Sequence, residues 1–185
     1  MGKEPLVEPS IPEAGRHIRG LILALVVAAS LACIGFSSTL AFDYANVLDT
    51  YWDVHDQVLF PTERGRHYID IYWAHGPELI QILIGNPDLS QEGLALIIEF
   101  EPPLRALVDG RGDSILINED MVRRVDDYLL AVHEHAGPEL RATIESERAQ
   151  ATFPDLVGLT FEEARIRLVG LPKDPLPGPL PTRFP

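Results

Sequence analysis

Tyr44-Ala45-Asn46-Val47-Leu48-Asp49-Thr50-Tyr51-Trp52-Asp53-Val54-His55-Asp56-Gln57-Val58 carries the period that decides the fold class. Tyr44, Val47, Tyr51, Val54 and Val58 recur at three- and four-residue intervals. That spacing puts them on one side of an α-helix, whereas a strand would alternate apolar and polar residues. Pro61 ends the run, because proline has no N–H to donate and its ring clashes with the preceding turn.

Immediately upstream, Leu21 to Phe42 is 22 consecutive uncharged, mostly apolar residues. At about 1.5 Å per residue they reach roughly 33 Å as a helix, enough for a hydrocarbon core of about 30 Å. Arg16, His17 and Arg19 precede the stretch, and Asp43, Asp49, Asp53 and Asp56 come after it. Basic flanks stay cytoplasmic, so the rest of the chain is expected on the far side of the membrane. Two readings of the stretch stand: an uncleaved anchor, which its length favours, and a cleaved signal ending near Thr39-Leu40-Ala41. The lone cysteine, Cys33, lies inside it, so the exported part has no intrachain disulfide and no cysteine metal cluster.

Charge is partitioned in the same direction. Residues 1–20 hold three basic and three acidic groups, so the net charge of −13 falls entirely on residues 21–185. Such a surface repels nucleic acid and anionic lipid and suits cations or basic partners, with a solubility device as the preferred reading.

Downstream, the pattern stays helical. A second helix is expected from about Glu63 to Ala74, with Tyr68, Ile71 and Tyr72 on its apolar face. Gly76-Pro77 is expected to interrupt it, with Pro77 opening a third helix over Glu78 to Ile84. Asn86-Pro87-Asp88 is a turn. A helix from about Gln91 to Phe100 is broken by Pro102-Pro103, and Leu104 to Val108 is a short helix. Asp109 to Asp113 forms a loop, and Ile115 to Ile117 is extended. Asn118 is a good N-cap for a long helix from Glu119 to about His135. Gly137-Pro138 breaks the chain again before a helix through Glu145, and Ala149 to Thr152 is a linker. Gly76-Pro77-Glu78-Leu79 and Gly137-Pro138-Glu139-Leu140 are identical and stand 61 residues apart. They are expected to be a recurring helix joint rather than a repeat array. The organisation expected is a cytoplasmic segment (1–20), an anchor or signal (21–42), an all-α domain of Gly-Pro-broken helices (43–151), a strand-helix fragment (152–171) and a Pro-rich extended tail (172–185).

Three stretches carry resemblances. Tyr51-Trp52-Asp53, Val58-Leu59, Thr62, Gly65-Arg66, Ile69-Asp70-Ile71-Tyr72-Trp73 and Gly76-Pro77 form an ordered series. It resembles the helical segment that comes after the Cys-Phe-Ile box in C-terminal regions of certain bacterial surface and secreted proteins. The box itself is absent here. The resemblance implies an anchoring or sorting role and carries no enzymatic one. From the residues alone, Asp53, Arg66 and Asp70 are expected as a partly buried ion-pair set bracing two helices. Tyr51, Trp52, Tyr72 and Trp73 concentrate aromatics suited either to a helical core, the preferred reading, or to an interface.

Asp109, Asp113 and Asp120 fall at positions 1, 5 and 12 of a calcium-loop register, with Leu116 at the apolar position 8. The stretch from Asp109 to Leu130 resembles half of a dockerin or EF-hand, which implies calcium on those three carboxylates. Arg111 stands where a ligand oxygen belongs and Ser114 replaces the turn glycine. The expectation is therefore a metal-free loop closed by Arg111, with calcium as the alternative. Pro154-Asp155-Leu156-Val157-Gly158-Leu159-Thr160-Phe161-Glu162-Glu163-Ala164 is similar to the opening strand and helix of a PASTA domain, which implies cell-wall binding; the preferred reading is a helix docked on the main domain or on a partner. Thr160 and Glu163 form a capping box for a helix from Phe161 to about Val169.

Catalytic signatures are missing from the sequence. His133 and His135, two residues apart, project about 200° from one another on a helix and do not share a metal. No His-Glu-x-x-His, Gly-x-Ser-x-Gly or phosphate loop occurs. The expected protein is a non-catalytic structural or interaction protein of the bacterial envelope, with no resident cofactor. It would be held in the cell membrane by its N-terminal helix with its C-terminal domain extracytoplasmic, or be secreted after cleavage, and it would work through protein partners. A cell-wall-binding module and a calcium-dependent docking domain are the alternatives.

Overall fold

The computed structural model describes residues 44–171. The expected segments 1–20, 21–42 and 172–185 lie outside them, as does the single residue Asp43. Among the described residues there are six α-helices: α1 (Tyr44–Val54), α2 (Glu63–Gly85), α3 (Pro87–Val108), α4 (Glu119–His135), α5 (Pro138–Ala151) and α6 (Phe161–Val169). The all-α expectation holds for them. No helix among them is long and apolar enough to cross a membrane.

The corner from α1 into α2 is built from close backbone approach. The chain leaves α1 through a π-helical turn, His55–Leu59, in which the Phe60 N–H donates to the His55 carbonyl at 2.9 Å. Thr62 then caps α2, its hydroxyl accepting from the Gly65 N–H at 2.9 Å and donating to the Leu59 carbonyl at 3.2 Å. A Cβ on Gly65 would lie 2.0 Å from that Leu59 carbonyl oxygen, so only glycine fits the corner.

Two expected breaks are absent. α2 runs without interruption through Gly76-Pro77, and α3 runs through Pro102-Pro103. An interior proline costs about 3 kcal/mol. Against that, Tyr68 and Ile71 before the joint, and Leu79, Ile82 and Leu83 after it, are all buried in one core. Each such side chain contributes about 1.5–3 kcal/mol when removed from water, and one straight helix is what places all five. Gly76 also removes the Cβ that would meet the ring of the following proline, the contact that normally drives a pre-proline residue out of helical geometry. At the second joint the expectation holds: α4 stops at His135, Ala136 and Gly137 are extended, and α5 opens with Pro138 as its first residue.

Asn118 caps α4 by accepting from the Met121 N–H, and Thr160 with Glu163 forms the capping box of α6. α5 continues to Ala151, through the residues expected as a linker. The expected PASTA-like strand is absent. Phe153–Leu156 is a 3-10 turn, and the extended contact comes afterwards, as an antiparallel bridge between Leu116 and Thr160. Around it, Ile117 donates to Leu159 and Gly158 to Ile117, both at 2.8 Å. Phe153, Leu156, Phe161, Ala164, Leu168 and Val169 are buried in the same cluster as Tyr68, Phe100, Tyr128, Leu129 and Leu140. α6 is therefore docked on the helices before it and shares their core.

Candidate functional site

The expected ion-pair set is corrected by α1 and α3. Asp53 pairs with Arg105 at 3.1 Å, and Arg105 also donates to the Asn46 carbonyl at 3.0 Å. The fully buried Thr50 donates to Glu101 at 2.6 Å. Arg66 is exposed and donates to the Phe60 carbonyl, and Asp70 is exposed further along α2. The bracing is thus between α1 and α3, 52 residues apart in sequence.

The aromatic stretch divides in the same way. The Tyr51 hydroxyl donates to the Ile97 carbonyl at 3.0 Å, and burial, then the Glu101 carboxylate, push its pKa well above the ordinary phenol value. Trp52 meets the His55 ring edge-on at 5.5 Å. Tyr72 and Trp73 meet each other edge-on at 5.1 Å on α2. Tyr68 is fully buried, whereas Trp73 is 54% exposed.

The three aspartates of the loop are not gathered around one point. Asp109 pairs with Arg111 at 2.8 Å, Asp120 pairs with Arg123 on α4, and Asp113 lies exposed in the 3-10 turn Gly112–Ser114. Among the described residues no three His, Cys, Asp or Glu are grouped to hold a metal ion. Arg111 and Arg123 take up the negative charge of Asp109 and Asp120, two of the three carboxylates of the calcium-loop register.

Histidines and carboxylates elsewhere hold α5 in place. His67 on α2 meets the buried Glu147 at 3.3 Å, His75 meets Thr143 at 3.1 Å, and His133 on α4 meets Glu145 at 2.9 Å. Arg148 grips Asp126 with two hydrogen bonds, at 2.7 and 2.9 Å. α5 needs these contacts because few of its side chains are apolar; Leu140 and Ile144 are the large ones it buries. The two identical Gly-Pro segments also touch, the Glu78 carboxylate accepting from the Gly137 N–H at 2.6 Å. An open cleft of about 380 Å³ lies where the α2–α3 turn meets the end of α4, lined by Asp88, Glu92 and His135 among others. On α4 the Tyr128 hydroxyl is buried without a hydrogen-bond partner; burial, then the Glu92 charge, raises its pKa well above the ordinary phenol value.

The uninterrupted α2 creates a feature that the expected break conceals. Ile69, Trp73, Pro77, Ile80 and Ile84 succeed one another at intervals of four, four, three and four residues, which places them within about 80° of the helix circumference. Trp73 and Ile84 are 54% and 65% exposed, Pro77 is exposed, and Ile69 and Ile80 are half-buried. The result is an apolar stripe about 22 Å long on the outside of α2. The signal for it is plain helical spacing, legible once residues on either side of Gly76-Pro77 are counted on one helix. Other exposed apolar residues include Ile166 on α6, and Leu116 and Val157 in the two segments paired around the Leu116–Thr160 bridge.

Comparison with family models, curated proteins and solved structures finds no match to this chain.

Proposed function

We propose that this chain is a non-catalytic interaction protein of the bacterial envelope, held outside the cytoplasm by its N-terminal segment, and that it binds a protein partner through the outer stripe of α2. The observation that carries this reading is the apolar row of Ile69, Trp73, Pro77, Ile80 and Ile84, in which Trp73, Pro77 and Ile84 are exposed and Ile69 and Ile80 are half-buried. Exposed apolar residues are ordinary when scattered, but a contiguous row on one rigid helix is the form taken by helix-in-groove and helix-on-helix contacts. Trp and Tyr are the side chains that most often anchor such contacts. Further support comes from the titratable residues: His67, His75, His133, Glu147 and Arg148 are engaged in holding α5 to its neighbours. The placement outside the cytoplasm rests on Leu21 to Phe42 and its basic leading flank.

The test is affinity purification of the full chain in mild detergent, beside an Ile80→Asp/Ile84→Asp variant. The reading expects a stoichiometric partner that the variant loses while its circular dichroism stays unchanged. A lone monomer from the parent chain, or a partner retained in full by the variant, refutes it.

A further inference from the structure

We infer that the partner of the outer stripe of α2 is a second copy of this chain, packed antiparallel about a two-fold axis that passes beside the Gly76–Pro77 bond. This rests on the reading of that stripe as a binding surface and names its occupant. A two-fold contact needs a patch that is complementary to itself, and the order of residues along α2 supplies one. Ile69 and Ile84 lie equally far from the Gly76–Pro77 bond on opposite sides, and so do Trp73 and Ile80. At about 1.5 Å per residue the inner pair stands about 5 Å from the axis in height, and the outer pair about 11 Å. Turning a copy about that axis brings its Ile80 level with Trp73, its Ile84 level with Ile69, and the two Pro77 rings side by side. Trp73 and Ile80 are also only about 20° apart around the helix, so they face one another across the seam. Trp73, 54% exposed, thus meets the open side of a half-buried Ile80.

The flank of the stripe matches itself in the same way. Asp70 and Gln81 are both exposed and lie within about 20° of one another around α2. After the rotation, Gln81 of one copy stands within about 3 Å in height of Asp70 of the other, on the same side, so its amide can donate to that carboxylate. Charge points to the same face. Residues 44–171 hold ten basic and 23 acidic groups, so two copies repel over most of their surfaces. Between Ile69 and Ile84, Asp70 is the one exposed charged side chain of α2, and repulsion is least there. Area sets the strength. A row about 22 Å long that covers half the circumference of a helix about 10 Å across offers roughly 350 Å² per copy, or roughly 700 Å² for the pair before the flanks are added. Stable interfaces remove about 1,200–2,000 Å², so this contact is weak and transient in solution, and covalent trapping is the way to see it.

Cys33 is the lone cysteine, so Cys33→Ser clears the full chain of other thiols. In that background Trp73→Cys, Pro77→Cys and Ile80→Cys are oxidised in mild detergent and read on non-reducing gels, with circular dichroism checking each fold. The two Pro77 sites stand side by side, whereas the two Trp73 sites, like the two Ile80 sites, are about 10 Å apart in height. Cysteines whose Cα atoms are more than about 7 Å apart do not join without backbone movement, so Pro77→Cys should form covalent dimer at least about tenfold faster than Trp73→Cys or Ile80→Cys alone. Mixing the Trp73→Cys and Ile80→Cys chains should restore the fast rate, and adding Ile84→Asp to Pro77→Cys should abolish it. Equal rates at all three positions, no gain on mixing, or a Pro77→Cys chain that stays monomeric overturns the inference. Capture of a different protein that still depends on Ile80 and Ile84 would then leave the interaction reading standing; loss of both removes the two together.

Discussion

Replacing Glu78 by alanine removes the contact between the two identical Gly-Pro segments, and its size can be worked out. The carboxylate accepts from the Gly137 N–H at 2.6 Å, and Gly137 is the N-cap of α5, so the charge also stands at the positive end of that helix. A hydrogen bond to an ionised partner contributes about 1.5–3 kcal/mol, and a carboxylate at a helix N-terminus about 0.3–1 kcal/mol. Glu78 is half-buried, and solvent screening pulls the total toward the low end. Alanine's better helix propensity within α2 returns a few tenths, leaving a net loss of about 1–2 kcal/mol. The 128 described residues unfold with an entropy of roughly 270 cal/mol/K, so the Tm should fall by about 4–7 °C. Circular dichroism melts of the full chain at pH 7 measure this, and amide exchange at Gly137 localises it. Glu78→Gln keeps an acceptor without the charge and should lose less than half as much. Glu78→Ala melting within about 1 °C of the parent, or Glu78→Gln falling as far as Glu78→Ala, would refute the argument.

Pro77→Ala restores an N–H for the Trp73 carbonyl inside an unbroken helix and should stabilise the protein by about 1–3 kcal/mol in urea denaturation, whereas a true hinge there would show no gain. Gly65→Ala should destabilise by about 3 kcal/mol or more, read in the same assay, because its Cβ would stand 2.0 Å from the Leu59 carbonyl oxygen. Arg105→Ala should cost about 1–1.5 kcal/mol by releasing Asp53 and the Asn46 carbonyl, while Arg66→Ala, on the surface, should cost under about 0.5 kcal/mol; equal losses would return the bracing role to the α2 residues. For pH, the Arg165 guanidinium holds the Glu162 carboxyl below its ordinary value of 4.5, and the Thr160 backbone N–H does the same for Glu163. Depressed carboxyls bind fewer protons folded than unfolded, so this stability is full above pH 4.5 and is lost as pH falls through the folded values. Acid titration followed by amide exchange in α6 should show that loss, and Glu162→Gln/Glu163→Gln should flatten it.

Much of the fold is legible because helical signals are local. The apolar period of residues 44–58, the Asn118 cap, the stop at His135 and the Thr160–Glu163 box each depend on residues within a turn or two of one another. The site was less legible, because its register runs through a joint that local rules read as a break. Ile69, Trp73, Pro77, Ile80 and Ile84 form a stripe only if α2 is one helix. The pairing of Asp53 with Arg105 was hidden for a related reason. Which of the ten arginines in residues 44–171 meets a given aspartate depends on how α1 lies on α3, and no local spacing records that.

The identical Gly-Pro-Glu-Leu segments separate the two kinds of information. By itself the sequence determined that residues 44–171 are mainly helical, where their capped helices begin, and that a glycine stands before each of these prolines so that the backbone can be either helical or extended there. Tertiary structure decided which. At Gly76 the side chains on both sides belong to one core, and burying Tyr68, Ile71, Leu79, Ile82 and Leu83 together outweighs the proline's lost hydrogen bond. At Gly137 the helix α4 ends with Ala136 buried, and the Glu78 carboxylate from the first segment takes the Gly137 N–H and fixes the extended turn. The same four residues are continuous in one place and broken in the other because burial and a hydrogen-bond partner 59 residues away, rather than local propensity, set the lower free energy.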